Sequence, residues 1–234
     1  MATNNSWDNS VTAGPAITLN SGTNAINIAS DASANSVNVG TGGAAKVVTV
    51  GSTNGASSLA LQCGTADFTL ASNTGTLMSA LDTGEITMPL QPAFLALSAD
   101  DADVTGNGTI YYLGTNTAMT EVFDQNSDFN TNGTFTAPVT GRYCFHANVA
   151  ILSYAGATSL QFMLATSNRS YRLSKFLPDD GASQDCVSGS AFADMDASDT
   201  ARVSVQVSGV GADTTDLNGD GTQAYTSFSG YLVC

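Results

Sequence analysis

The sequence predicts an all-β protein in several parts, and three observations carry that prediction. Ser, Thr, Asn and Gly supply most of the polar residues, and these favour turns and short strands over helix interiors. The run Asn132 to His146 spells a strand, a turn and a second strand, with Phe135 among Thr residues and Pro138 and Gly141 bracketing the reversal. From Pro15 to Met88, apolar-x-apolar triplets recur at nearly constant spacing.

Charge narrows the function classes. The 234 residues hold 20 Asp and Glu against 6 Lys and Arg, a formal net charge of −14 with only 11% of residues charged. Such a chain repels phosphate backbones, so nucleic acid is not an expected partner. No run approaches the roughly eighteen apolar residues that cross a bilayer, and membrane insertion is not expected. Met1 to Ser10 has neither the basic start nor the apolar core of a secretion signal, so no signal peptide is read there. Cys63, Cys144, Cys186 and Cys234 fit neither a dense disulfide scaffold nor a closely spaced metal pattern.

In chain order, residues 1–14 form a polar arm whose Trp7, the only tryptophan, is the candidate anchor on a larger particle or a neighbouring subunit. Residues 15–88 form a β-repeat shaft. Its triplets begin at Ile17, Ile26, Val37, Val48, Leu59, Phe68 and Ile86, with Leu77 falling midway between the last two. Strands this short offer too few inward side chains to bury a core alone. They need neighbours, either stacked copies within one chain or three chains intertwined about one axis, and the small Ala residues between them suit the second. Pro89 and Pro92 interrupt the pattern and mark a boundary at 89–92. Residues 93–234 form the head. Within it, Tyr143, Phe145, Ala147, Val149 and Ile151 share one strand face, while Cys144, His146 and Asn148 share the other.

The head resembles the C1q and tumour-necrosis-factor-like family. Phe129, Gly133, Phe135, Thr136, Pro138, Gly141, Tyr143 and Phe145 fill the family's aromatic-x-x-x-Gly-x-Phe-Thr-x-Pro-x-x-Gly-x-Tyr-x-Phe signature. Ser188 to Met195 resembles its Ser-Gly-Ser-Ala strand, and Phe228 to Val233 its closing Phe-Ser-Gly-aromatic-Leu strand. The resemblance implies a ten-stranded jelly-roll sandwich that trimerises through one sheet. It also makes the strands bearing Cys144 and Cys234 antiparallel neighbours, with a disulfide between those two cysteines as the candidate pairing. The shaft resembles the repeat shafts of viral and phage fibres. The chain departs from the family in lacking a collagen repeat, in placing Cys144 where an aromatic is common, and in a longer acidic connection from Gly209 to Ala224.

Two candidate sites stand out. Asp216, Asn218 and Asp220, with Asp213 upstream, match the first half of a calcium loop, although Ser227 stands where a bidentate Glu belongs. Calcium is therefore the one candidate cofactor. Arg169, Tyr171, Arg172 and Lys175 gather half of the chain's positive charge and are the candidate ligand-binding residues for acidic sugars or for carboxylates of the assembly. His146, the only histidine, has no visible catalytic companions. The chain is expected to be no enzyme. The expected function is a homotrimeric fibre or spike adhesion protein, extracellular or on a virion surface, whose head binds a cell-surface glycan or protein. The alternative is a filament or coat subunit assembled by strand donation.

Overall fold

The computed structural model describes residues 59–176 and 184–233, and before them residues 28, 37–39, 41, 43–51, 53 and 55. The chain divides into two compact units, residues 1–61 and 62–234. In the first unit no described residue lies in a strand, and Val37, Val39, Val47, Val48 and Val50 are exposed. Trp7, the triplet beginning at Ile17, the first two residues of the triplet beginning at Ile26, and Cys234 lie outside the described residues.

The second unit opens with a three-stranded antiparallel sheet of β1 (Phe68–Ser72), β2 (Gly75–Ala80) and β3 (Ile86–Thr87). These strands occupy the last repeats read from the sequence. Register places Phe68 opposite Ala80, Leu70 opposite Met78, and Ala80 opposite Ile86, so these apolar residues share one face. Thr69, Ser79 and Thr87 take the other. Leu70 and Ile86 stay exposed. The Pro89–Pro92 segment then runs against the head, where Gln125 Nε2 donates to the carbonyls of Met88 at 2.7 Å and Gln91 at 2.8 Å, and the Leu232 amide donates to Pro92 at 3.0 Å.

The head holds thirteen strands among the described residues. In chain order they are β4 (Ala93–Leu97), β5 (Asp101–Thr105), β6 (Ile110–Tyr112), β7 (Thr120–Asp124), β8 (Phe129–Asn130), β9 (Thr134–Thr136), β10 (Gly141–Leu152), β11 (Ser159–Thr166), β12 (Ser170–Phe176), β13 (Gln184–Met195), β14 (Thr200–Ser208), β15 (Thr215–Asn218) and β16 (Ser227–Leu232). One sheet has seven strands, in the order β5-β15-β10-β16-β4-β7 with β13 also paired to β10. The other has six, in the order β12-β11-β14-β9-β8 with β6 also paired to β14. All of the pairs are antiparallel, and the two sheets form a jelly-roll-like sandwich. There are more segments than the ten expected because β6, β8 and β9 are pieces of two or three residues beside the long β14 and each other.

The expected reversal at Pro138 is not a hairpin. β9 pairs with β8 and β14, whereas β10 pairs with β13, β15 and β16, so residues 137–140 carry the chain from one sheet to the other. Ala137 supplies the physical reason, because its amide donates to Asp199 and its carbonyl accepts from Ser198, while Pro138 has no amide to offer a ladder. Alternation along β10 follows the sequence reading. Tyr143, Phe145, Ala147, Val149 and Ile151 are buried, and His146 is exposed.

A ring cluster joins the sheets. Phe94, Phe145 and Phe228 come from the seven-stranded sheet, and Phe129 and Phe135 from the six-stranded one. Phe94 stacks on Phe129 at 4.6 Å and on Phe135 at 5.1 Å, and Phe228 meets Phe94 edge-on at 5.0 Å. Each buried ring contributes on the order of 2 kcal/mol, and each aromatic pair about 0.5–1.5 kcal/mol more. Two glycines, one in the signature and one in the closing strand, allow close approaches. Gly133 has φ +81, and a Cβ there would lie 2.0 Å from the Leu113 carbonyl oxygen. At Gly230 a Cβ would lie 2.5 Å from the Phe145 ring and 2.9 Å from the Phe94 ring. Gly230→Ala should therefore overpack the cluster, lowering stability by about 1–3 kcal/mol; a denaturant midpoint unchanged from the parent chain would contradict this packing.

Candidate functional site

The four residues read as one basic cluster are separated by the strand faces they occupy. Arg169 lies in the turn between β11 and β12, where its Nη2 pairs with Asp194 at 3.0 Å. Tyr171 faces inward from β12, and its hydroxyl donates to the same carboxylate at 3.2 Å. Asn168 Nδ2 donates to the Asp199 carboxylate at 2.6 Å and the Asp194 carbonyl at 3.3 Å. Arg169, Tyr171 and Asp194 are thus satisfied among themselves, beside an open depression of about 250 Å³ lined by Arg142, Asn168, Asp194 and Asp196.

Arg172 and Lys175 belong to the opposite, outer face of β12. A bulge between Phe162 and Met163 sets the register, with Lys175 opposite Gln161 and Arg172 opposite Met163. Continuing across the sheet, Gln161 faces Gln206, Met163 faces Ser204, Gln206 faces Ile110, and Ser204 faces Tyr112. Arg202, which sequence reasoning did not single out, joins this face opposite Ala165. Its guanidinium lies 4.6 Å from the Tyr112 ring centroid, and its Nη2 donates to the Asn132 carbonyl at 3.1 Å and the Thr115 hydroxyl at 3.3 Å. The alternation of Ala201, Val203, Val205 and Val207 marks Arg202 as outward, so the signal was present in the sequence.

The candidate calcium residues do not form a loop. Residues 215–218 are strand β15, with Leu217 buried in the core, and each acidic side chain is oriented by a different neighbour. Asp213 accepts from the Asn107 amide at 3.3 Å and the Thr109 hydroxyl at 2.9 Å. Asp216 accepts from the Asp103 amide at 2.9 Å and the Ser153 hydroxyl at 2.7 Å. Asp220 caps its own turn through the Thr222 amide and hydroxyl, both at 2.7 Å. Asn218 pairs with Ala150 in the β15–β10 ladder. Among the described residues, no three His, Cys, Asp or Glu side chains converge as a metal site. Asp216 and Asn218 thus lie along a strand, while Asp213 and Asp220 lie in the loops on either side of it.

Cys144 lies on the outer face of the seven-stranded sheet, opposite Phe192 on one side and Tyr231 on the other. It is a free thiol, as are Cys63 and Cys186, and its expected partner Cys234 lies outside the described residues. The Cys144 thiol raises the Tyr231 phenol above its ordinary 10.0, through a hydrogen bond first and charge second. Phe192, Tyr231 and Phe123 are exposed on this face, with His146 and Leu95 between them.

Charge is divided between the sheets. The seven-stranded sheet carries seven carboxylates, Asp101, Asp103, Glu121, Asp124, Asp185, Asp194 and Asp216, against Arg142. The strands of the six-stranded sheet contain no Asp or Glu at all, and they hold Arg172, Lys175 and Arg202.

A two-sheet antiparallel sandwich with a ring cluster at its centre defines the head as a jelly roll. Residues 114–233 match the C1q domain, and the chain belongs to that family. Among solved structures, the chain is similar to the globular domain of zebrafish complement 1qA protein, at 18% identity and TM-score 0.42, covering 62% of this chain and 98% of that one. It is also similar to murine APRIL at pH 8.5, at 8% identity and TM-score 0.42, covering 61% of this chain and 99% of that one. No curated protein matches the chain.

Tyr171 offers a measurable consequence. Burial first, and then the hydrogen bond and charge of Asp194, raise its phenol above the ordinary 10.0. A phenol raised on folding contributes stability that is present below its unfolded value and lost as pH rises through the folded one. Asp194→Asn should bring the Tyr171 phenolate in at lower pH, still above the ordinary value because burial remains. An absorbance titration against a Tyr171→Phe reference checks this, and an unshifted curve would mean that Asp194 has no hold on the phenol.

Proposed function

We propose that the chain is the subunit of a homotrimeric fibre- or spike-type adhesion protein, in which a C1q head on a repeat-built shaft binds a host or neighbouring surface. C1q domain proteins are typically extracellular, and their domains typically assemble into homotrimers that bind other proteins. The observation that carries the reading is where this chain leaves its large apolar side chains. Leu59, Leu61, Leu70, Ile86 and Met88 of the repeats are exposed, and so are Phe123, Phe192 and Tyr231 on the outer face of the seven-stranded sheet. Exposed apolar surface of this extent marks an interaction site. The two sets are joined in sequence, since β3 leads through the proline segment into β4 of that same sheet.

In this reading, the Phe192–Cys144–Tyr231 row packs about a three-fold axis. The apolar face of β1–β3 continues the contact into the shaft, and Trp7 in the arm docks on a larger particle at an extracellular or virion surface. Sheet-face burial explains why an aromatic stands in the middle of the outer face rather than a charge. The proposed assembly uses the aromatic rows as its buried anchors.

Light scattering of the full chain after gel filtration should give the mass of three chains. Phe192→Asp combined with Tyr231→Asp should weaken association by about 30-fold or more, as loss of two interface anchors does; a stable monomer of the parent chain would overturn the reading. Deleting residues 1–14 should leave trimers intact, and the loss of end-to-end polymers instead would shift the reading to a filament subunit.

A further inference from the structure

We infer that the outer face of the six-stranded sheet is the adhesive surface, and that its ligand is an anionic glycan. The inference rests on the adhesion reading for the existence of a surface ligand, and names where and what that ligand is. Three features of the face support it together.

The first is charge. In a chain of net charge −14, the strands β6, β8, β9, β11, β12 and β14 carry Arg172, Lys175 and Arg202 and not one carboxylate. Arg172 and Lys175 are exposed, and neither has a hydrogen-bonded or ion-paired partner among the described residues. Arg169, by contrast, meets the Asp194 carboxylate. Two neighbouring cations with no counter-ion among the described residues, on strands that carry no carboxylate, are a standing attraction for an anion. Guanidinium and ammonium groups complement carboxylate and sulfate esters with charge-assisted hydrogen bonds.

The second is preorganisation. Arg202 is held over Tyr112 and tied to Asn132 and Thr115, so its charge is fixed at the face rather than swinging in solvent. The rows place it two strands over and two residues along from Arg172, roughly 12 Å away by strand spacing and rise. That is a span suited to successive sugar units rather than to one small ion.

The third is the chemistry between the cations. Gln161 Nε2 donates to Gln206 Oε1 at 2.8 Å, and Gln206 Nε2 donates to the Gly108 carbonyl at 2.6 Å. The Gln161 side-chain carbonyl is left as an acceptor for a hydroxyl donor. Met163 and the exposed Ile110 give an apolar floor for the C–H faces of a pyranose. Anion, hydroxyl and C–H recognition side by side on a flat sheet fit a charged polysaccharide. An acidic protein would need only the first of these.

The test is binding of the full chain to immobilised polygalacturonate and to dextran sulfate, with neutral dextran and polyglutamate alongside. The parent chain should bind at least one of the two anionic polysaccharides, the carboxylate and sulfate arms telling which anion is preferred. Binding to polyglutamate should be weaker, and binding to neutral dextran absent. Arg172→Gln with Lys175→Gln should lose about tenfold or more in affinity and most of the salt dependence, while circular dichroism and the trimer mass stay as in the parent. Gln161→Leu should weaken polysaccharide binding without changing polyglutamate binding. Arg169→Gln, in the turn before β12 and already paired with Asp194, should bind as the parent does. The inference is overturned if the parent binds neither anionic polysaccharide, if polyglutamate binds as well or better, or if the Arg172/Lys175 variant binds undiminished. Because the trimer mass is read in the same samples, loss of glycan binding with an intact trimer separates this inference from the assembly reading.

Discussion

The head depends on one packing arrangement, the stack of Phe129 and Phe135 from one sheet against Phe94, Phe145 and Phe228 from the other. Rings at 4.6–6.5 Å from one another fill the space between two sheets that no helix covers. That filling has a geometric condition. β16 must pass over Phe145 and Phe94 without a side chain, and Gly230 is the residue that allows it. Phe-Ser-Gly-aromatic on the closing strand is thus a statement about clearance. Phe228 points in, Gly230 leaves a gap, and Tyr231, one position on, is turned out to the opposite face.

This is also why the fold was more legible than the site. Period-two alternation and a ring-rich signature describe an interior, and the interior is decided by side chains that need only be apolar and of the right size. Strand β10 follows its sequence reading from Tyr143 to Val149 for that reason. The turn at Pro138 was harder, because a strand, a turn and a strand look alike whether the second strand returns beside the first or leaves for the other sheet. The deciding partners, Ser198 and Asp199, lie about sixty residues further on.

The candidate site residues are divided by the strands for a related reason. Arg169, Tyr171 and Arg172 are nearly contiguous, yet a strand sends alternate residues to opposite faces, and a turn sends them to neither. Spacing on the page therefore joined groups that the sheet divides, and it missed Arg202, which the β11 strand brings to Arg172 from thirty residues away. In the same way, Asp216 and Asn218 suggested a cation loop until β15 pairing with β10 stretched them out. The two faces of the sandwich then differ in kind. One is aromatic and bordered by carboxylates, and the other is polar and basic, so a trimer built on the first leaves the second turned outward.

Strand order has a further consequence, for how the head comes into being. β4, at the start of the head, has β16 as its neighbour, with Leu97 opposite Ser227 and Ala93 opposite Tyr231, and β5 pairs with β15. During synthesis, β4 gains β7 on one edge within about thirty residues, while its other edge waits for β16, more than a hundred residues further on. Sheets closed by such distant pairings form slowly, since the loop-closure entropy is lost before the contacts are gained. The ribosome must deliver nearly the whole head before Phe228 and Gly230 of β16 can complete the aromatic cluster. An unfinished chain presents open strand edges to its sisters, so timing of synthesis becomes part of how the right strands meet.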